Sequence, residues 1–228
     1  MSQAQFYGAG LPYAQIGELP GKLIVLEGND GVGRSTQIEL LRQWLETEGY
    51  GVADTGLARS PLTQPGIDAA MSGHTLGRLT MSLFYATDFA DRLENQVIPA
   101  LKAGLHVLSD RYFYSIVARD VARGADTDWA EKVYGFALVP DIALYLRAEI
   151  DTLAARMVHG RGFNYWECGM DLGMADNYYD SFIEYQSRLR DQFDAMAAKF
   201  GFVTIDADRS ALEVFEELKV HILALEGR

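Results

Sequence analysis

The sequence predicts an α/β fold: a five-stranded parallel sheet flanked by helices, with a short lid. Three observations predict it. Five short apolar runs alternate with longer helical patterns. The runs are apolar on both faces, as strands covered by helices on each side must be. And the first of them, Leu23–Leu26, leads into Gly28-Asn29-Asp30-Gly31-Val32-Gly33-Arg34-Ser35-Thr36 and then a helical pattern beginning at Gln37. Strand, glycine loop and helix in that order wrap backbone N–H groups around phosphates and aim a helix N-terminus at their charge, as in P-loop nucleotide-binding folds.

The elements follow in order. Residues 1–20 hold Gly8, Gly10, Pro12, Gly17 and Pro20 and read as an irregular arm. Its Phe6, Tyr7, Leu11 and Tyr13 predict that it packs on the body of the protein. Residues 21–228 read as one domain, with no linker or repeat. The predicted strands are Leu23–Leu26, Gly51–Thr55, His106–Ser109, Ile142–Leu146 and Phe202–Ile205. The predicted helices are Ser35–Glu48, Leu76–Lys102, Trp129–Phe136, Asp151–Met157, Asp176–Phe200 and Ala211–Leu225. Two stretches resist regular assignment: residues 57–68, with two prolines, and residues 158–175, with four glycines and several aromatics. Irregular stretches of this length are usually functional loops or lids.

Composition narrows the function classes. The formal net charge of −12 argues against a nucleic-acid polymer as partner. In so acidic a chain, phosphate binding requires that its arginines be gathered at the site. A single cysteine, Cys168, excludes an intrachain disulfide and fits a reducing cytoplasm. No apolar run approaches the length of a membrane span, and the first 20 residues lack the basic-then-apolar pattern of a secretion signal.

The glycine loop carries the chemistry. Gly28, Gly31 and Gly33 permit its turns, and Ser35 and Thr36 place hydroxyls at the start of the helix. Arg34 stands where the motif wants Lys. Both residues supply positive charge, but Lys is a compact ammonium and Arg a planar fork. The loop therefore reads strongly as phosphate-binding and less strongly as a site of fast phosphoryl transfer. Asp110, at the end of the third strand, can hold Mg²⁺ through its water shell, with the Ser35 hydroxyl as second ligand. Its other reading is a helix cap.

Residues 28–37 resemble the first motif of thymidylate kinases. Asp110-Arg111-Tyr112 followed by Ser115 resembles the second, and Leu83-Phe84-Tyr85-Ala86 leading to Val97-Ile98-Pro99-Ala100-Leu101 resembles the base-binding helix. Val139-Pro140-Asp141 also fits, so the similarity extends from about residue 21 to about 225. It implies a P-loop nucleoside monophosphate kinase that moves the γ-phosphate of ATP to dTMP with Mg²⁺, in the cytoplasm, as a homodimer. It also implies roles: Asp30 for the sugar 3′-hydroxyl, Arg59 for the acceptor phosphate, Arg111 for the acceptor and transferring phosphates, and Phe84 for stacking on the base.

Some thymidylate kinases carry a basic residue in the phosphate loop and others carry it in the lid. Here the loop position is Val32, so the lid should supply it, from Arg156 or Arg161. Arg161 is favoured by its flanking glycines. Three departures concern the base. Aligned from Phe84, the family's base-reading arginine falls on Asp88, leaving Arg92 as the candidate replacement one turn later. Arg119 and Asp120 stand where the family has an aromatic and an uncharged polar residue, and Arg119 is a candidate ligand contact. Two other readings follow: a kinase for a different monophosphate, motivated by Asp88, Arg119 and Asp120, and a P-loop nucleotide-binding protein with impaired catalysis, motivated by Arg34.

Overall fold

A computed structural model describes residues 4–13, 15–73, 77–225 and 227. The strands are β1 (Leu23–Gly28), β2 (Val52–Gly56), β3 (His106–Asp110), β4 (Ile142–Arg147) and β5 (Val203–Asp206). They form one sheet in the order β2-β3-β1-β4-β5. β2 and β3 run parallel from Val52↔His106 to Gly56↔Asp110, and β4 and β5 from Leu144↔Val203 to Arg147↔Asp206. The order places β1, and the loop that follows it, at the middle of the sheet. A connection that leaves a central strand opens the crevice where α/β sheets bind ligands.

The helices are α1 (Arg34–Thr47), α2 (Gln64–Gly73), α3 (Arg78–Arg92), α4 (Ile98–Lys102), α5 (Phe113–Ala122), α6 (Thr127–Val133), α7 (Ile150–His159), α8 (Tyr178–Phe200) and α9 (Ala211–Leu225). The helix expected over residues 76–102 is α3, a π-turn at Leu93–Val97 and α4; Leu76 lies outside the described residues. The π-turn has a local cause. In an unbroken α-helix the Pro99 ring would meet the carbonyl of Asn95, and widening the turn relieves the clash.

Two helices differ from the sequence reading. α2 occupies part of the stretch expected to be irregular, because Pro65 falls in its first turn, where a missing N–H costs nothing. α5 was not expected. Phe113 through Ala118 are all buried, so the run lacks the one-sided apolar stripe that marks a surface helix.

The chain divides into two compact units: residues 1–25 with 42–142, and residues 26–41 with 143–228. The first is built on an aromatic cluster. Phe89 meets Tyr112, Tyr134 and Phe136 at ring separations of 4.9, 5.8 and 5.7 Å. The arm belongs to this unit and packs on it as expected. Tyr7 N–H donates to the Ala137 carbonyl at 3.1 Å, Val139 N–H donates to the Gln5 carbonyl at 2.9 Å, and the Tyr7 ring lies 5.2 Å from that of Phe113. Tyr13, by contrast, is almost fully exposed.

The second unit packs α7, α8 and α9 around β4 and β5 with Leu146, Leu153, Leu189, Phe193, Leu218 and Ile222 buried. Its helix ends are written in the sequence. Asn177 caps α8 by accepting from Asp180 N–H at 2.9 Å, and Gly201, in a left-handed conformation, ends it. Ser210 and Glu213 form a capping box at the start of α9.

Candidate active site

The second unit carries the phosphate loop. Gly31 and Gly33 have φ of +83° and +100°, values that side-chain-bearing residues rarely adopt. A Cβ on Gly28 would stand 2.4 Å from the Leu146 carbonyl oxygen, so β1 passes β4 too closely for any side chain there. Gly33 has open space above it, and Gly33, Ser35 and Thr36 are exposed at the start of α1. The loop is thus a backbone cradle with Ser35 and Thr36 exposed beside it. Arg34 is only 7% exposed. Its Nη1 donates to the Gly28 carbonyl and, at 2.6 Å, to the Asn29 carbonyl. The guanidinium that replaces the motif's ammonium therefore folds back and braces the loop from within.

Gln186, in the middle of α8, holds the same loop from the other side. Its amide donates to Asp30 Oδ2 at 3.0 Å and to the Glu167 carbonyl at 2.8 Å. Its oxygen accepts from Asn29 Nδ2 at 2.9 Å and from Asp30 N–H at 3.2 Å. Asp30 is 1% exposed and tied to α8. The helix predicted over residues 176–200 carries no expected site residue, so Gln186 was missed. The available signal was a buried-face glutamine between Tyr185 and Leu189.

Arg156 is half-buried. It donates to the Val32 carbonyl at 3.3 Å and the Ala207 carbonyl at 2.8 Å, so it ties the phosphate loop to the turn after β5. Arg161 lies in the 158–175 segment, largely exposed, and pairs with Glu167 at 2.7 Å. That segment is anchored to α8: the Phe163 ring sits 5.1 Å from Phe182, and Ser181 Oγ donates to the Cys168 carbonyl at 2.7 Å. Tyr165 and Trp166 pack edge to face at 5.3 Å.

The first unit carries the remaining arginines. Arg59 is about half exposed and pairs with Asp54 at 3.1 Å. Arg111, just after β3, has φ of +73°, a left-handed backbone that residues other than glycine rarely adopt. The turn is held by Ser109 Oγ, which donates to the Arg111 carbonyl at 2.5 Å, and Arg111 Nη1 reaches Ser115 Oγ at 3.2 Å. Strain of this kind clusters at functional sites. Asp110 ends β3, half-buried. Arg119 Nη1 donates to the Ser115 carbonyl at 3.1 Å.

On α3 the structure divides the expected base-binding residues between two faces. Phe84 packs against α2, where a Cβ on Gly66 would stand 2.7 Å from its ring. Its neighbour Tyr85 also reaches α2, where its hydroxyl donates to Met71 Sδ at 3.7 Å. Burial pushes the Tyr85 phenol above its ordinary range, and the charges of Arg119, Arg123 and Arg111 partly offset this. Arg92 was expected to read the base. The structure buries it at 1% exposed, with Nε donating to Asp88 at 2.9 Å and Nη1 to Thr55 at 3.2 Å. That commitment makes it a brace inside the first unit.

The family model of thymidylate kinase matches residues 26–218. The chain belongs to the thymidylate kinase family. It is 36% identical over 196 residues to a probable thymidylate kinase 2 of Saccharolobus solfataricus, covering 85% of this chain and 92% of that one. It is 31% identical over 202 residues to a probable thymidylate kinase of Thermococcus gammatolerans, covering 85% and 91%. With a thymidylate kinase of Clavibacter sepedonicus it shares 39% identity over 150 residues, covering 61% and 68%. Family membership makes the chain a phosphotransferase acting on nucleotides, and the family's reaction is phosphorylation of dTMP to dTDP. The match runs through the phosphate loop and both arginine-bearing turns. Among the described residues no helix is long and apolar enough to cross a membrane.

Proposed function

We propose that this thymidylate kinase transfers the γ-phosphate of ATP to dTMP through a single domain over residues 21–228. The observation that carries the donor half is the cradle at 28–36, with left-handed glycines, open space over Gly33 and exposed Ser35 and Thr36. Its amides and the start of α1 receive the triphosphate, and Arg34 keeps the cradle's shape while adding positive charge. Asp30, fixed by Gln186, accepts from the sugar hydroxyl of the monophosphate. Arg59 and Arg111 hold the acceptor phosphate, Tyr85 lies among the arginines that surround the monophosphate, and Phe84 backs the base side of α3. Arg161 leaves Glu167 to meet the transferring group, and Arg119 contacts ligand.

Alignment and charge compensation suffice for phosphoryl transfer, so no strong general base is required. Mg²⁺ belongs to the reaction: a hydroxyl and a carboxylate are the hard oxygen donors it takes, Ser35 is exposed, and we assign Ser35 and Asp110 to it. When bound, it neutralises charge on the β- and γ-phosphate oxygens. The buried thiol of Cys168 agrees with a cytoplasmic setting. Leu79 and Leu83, exposed on α3, support a homodimer, which sedimentation would test.

A coupled assay with ATP, Mg²⁺ and a panel of monophosphates tests the reading. Preferred turnover of dTMP is expected. Preference for another monophosphate would move the assignment to that substrate, and nucleotide binding without turnover would overturn the kinase reading and leave a nucleotide-binding protein.

A further inference from the structure

We propose that Asp88 is a positioning residue that sets the shape of segment 57–63 and thereby aims Arg59; the inference rests on Arg59 gripping the acceptor phosphate. Asp88 is fully buried on α3. Its carboxylate accepts from Ala58 N–H at 3.1 Å, Ser60 N–H at 2.9 Å, Thr63 Oγ1 at 3.3 Å and Arg92 Nε at 2.9 Å. Three of these donors lie in the segment that carries Arg59. The next acidic side chain on the helix, Asp91, accepts from Ser60 Oγ at 2.5 Å.

The backbone says why such a clamp is needed. Ala58 has φ of +55°, a left-handed conformation that a residue with a Cβ keeps only when its surroundings over-determine it. The bond from Ala58 N–H to Asp88 is such a restraint, and it acts on the residue just before Arg59. Arg59 is anchored through its backbone neighbours, and its guanidinium, about half exposed, rests on Asp54 in a surface pair. Its starting point is fixed while its head group can turn to a ligand.

Stability alone does not call for this arrangement. A buried ion pair is at best a weak source of stability, and apolar residues of the same volume serve as well. What an apolar residue cannot do is collect two backbone amides and a hydroxyl of one loop on a single point. At the place where the family resemblance expected a reader of the base, this chain has a holder of the phosphate-gripping segment.

The test is Asp88→Asn, Arg59→Ala and the double variant, with dTMP and ATP as substrates. In Asp88→Asn the KM for dTMP should rise at least tenfold while that for ATP changes less than about twofold. Adding Arg59→Ala should then worsen the dTMP KM less than about twofold, since both changes remove one function. Amide hydrogen exchange at Ala58 and Ser60 should quicken at least tenfold, with the amides of 28–36 unchanged. Multiplying effects in the double variant, or unchanged exchange at 58 and 60, would overturn the proposal. An unchanged dTMP KM in Arg59→Ala alone would sink the acceptor-phosphate reading and the aiming role with it, while the exchange rates would still decide whether Asp88 holds the segment. If Asp88→Asn does not fold, Thr63→Val removes one of the bonds at nearly constant shape. It should shift both readouts the same way by a few-fold, and no shift in either would overturn the proposal.

Discussion

Replacing Gln186 with leucine should loosen the phosphate loop from α8, and the size of the effect follows from the bonds lost. Leucine fills about the same space, so little of the change comes from an empty cavity. The Glu167 carbonyl, the Asp30 amide and Asp30 Oδ2 lose the partners seen at 2.8, 3.2 and 3.0 Å. Asn29 Nδ2 is less affected, because it also donates to the backbone carbonyl of residue 186 at 2.8 Å. A buried polar group left without a partner costs about 1–3 kcal/mol, so three such groups cost about 3–9 kcal/mol. Burying the leucine side chain returns about 1.5–3 kcal/mol. Taking the middle of each range, a net loss of about 4 kcal/mol remains. Urea unfolding followed by circular dichroism would measure it, with hydrogen exchange on residues 28–36 locating it. The KM for dTMP should rise more than that for ATP, since Asp30 loses the amide that aims its carboxylate. A loss below about 0.5 kcal/mol, with no change in exchange at 29 and 30, would refute the reasoning.

Three further outcomes are expected. Arg34→Lys keeps the charge but loses the fork that bonds two loop carbonyls, so stability should fall by about 1–3 kcal/mol and turnover at least tenfold; a rise in kcat at unchanged Tm would show that the loop is not built for a guanidinium. Burial raises the Asp120 carboxyl above its ordinary range, against the opposing pull of the Ser82 hydroxyl, Arg123 and Arg119. Its favourable contribution is therefore full below the unfolded value of about 3.9 and is lost as pH rises through the higher folded value, so Asp120→Asn should be the more stable form at neutral pH and the gain should vanish in acid; parallel Tm profiles from pH 3 to 8 would contradict this. Burial, with the charge of Glu167 nearby, pushes the Cys168 thiol up to about 11. At pH 8 only about one thiol in a thousand is then ionised, so an aromatic disulfide reagent should react at the rate of unfolding, and rapid stoichiometric labelling of the native protein would refute the burial argument.

Much of the architecture was legible because it depends on local rules. The strands and α1, α8 and α9 lie within a residue or two of their expected places, since apolar runs, caps and C-terminal glycines are written along the chain. α5 was hidden because complete burial erases periodicity. On α3 the residue types were right for a nucleotide site. Yet that Phe84 packs against α2 depended on how the two helices meet, which no spacing rule supplies. Arg92 looked available as a basic residue on an exposed helix; only its surroundings revealed a carboxylate one turn away that claims it.

The chain by itself determined that a glycine loop follows the first strand, that its cation is an arginine, and that its motifs are those of a thymidylate kinase. These depend on residue type and near-neighbour geometry, which sequence order preserves. Tertiary structure alone decided that the Arg34 guanidinium turns inward onto loop carbonyls, that Gln186 reaches Asp30 across 156 positions, and that Asp88 collects the amides of 58 and 60. A hydrogen bond needs its partners within about 3 Å, and which distant groups meet at that range is fixed by packing and is invisible to any pattern along the chain.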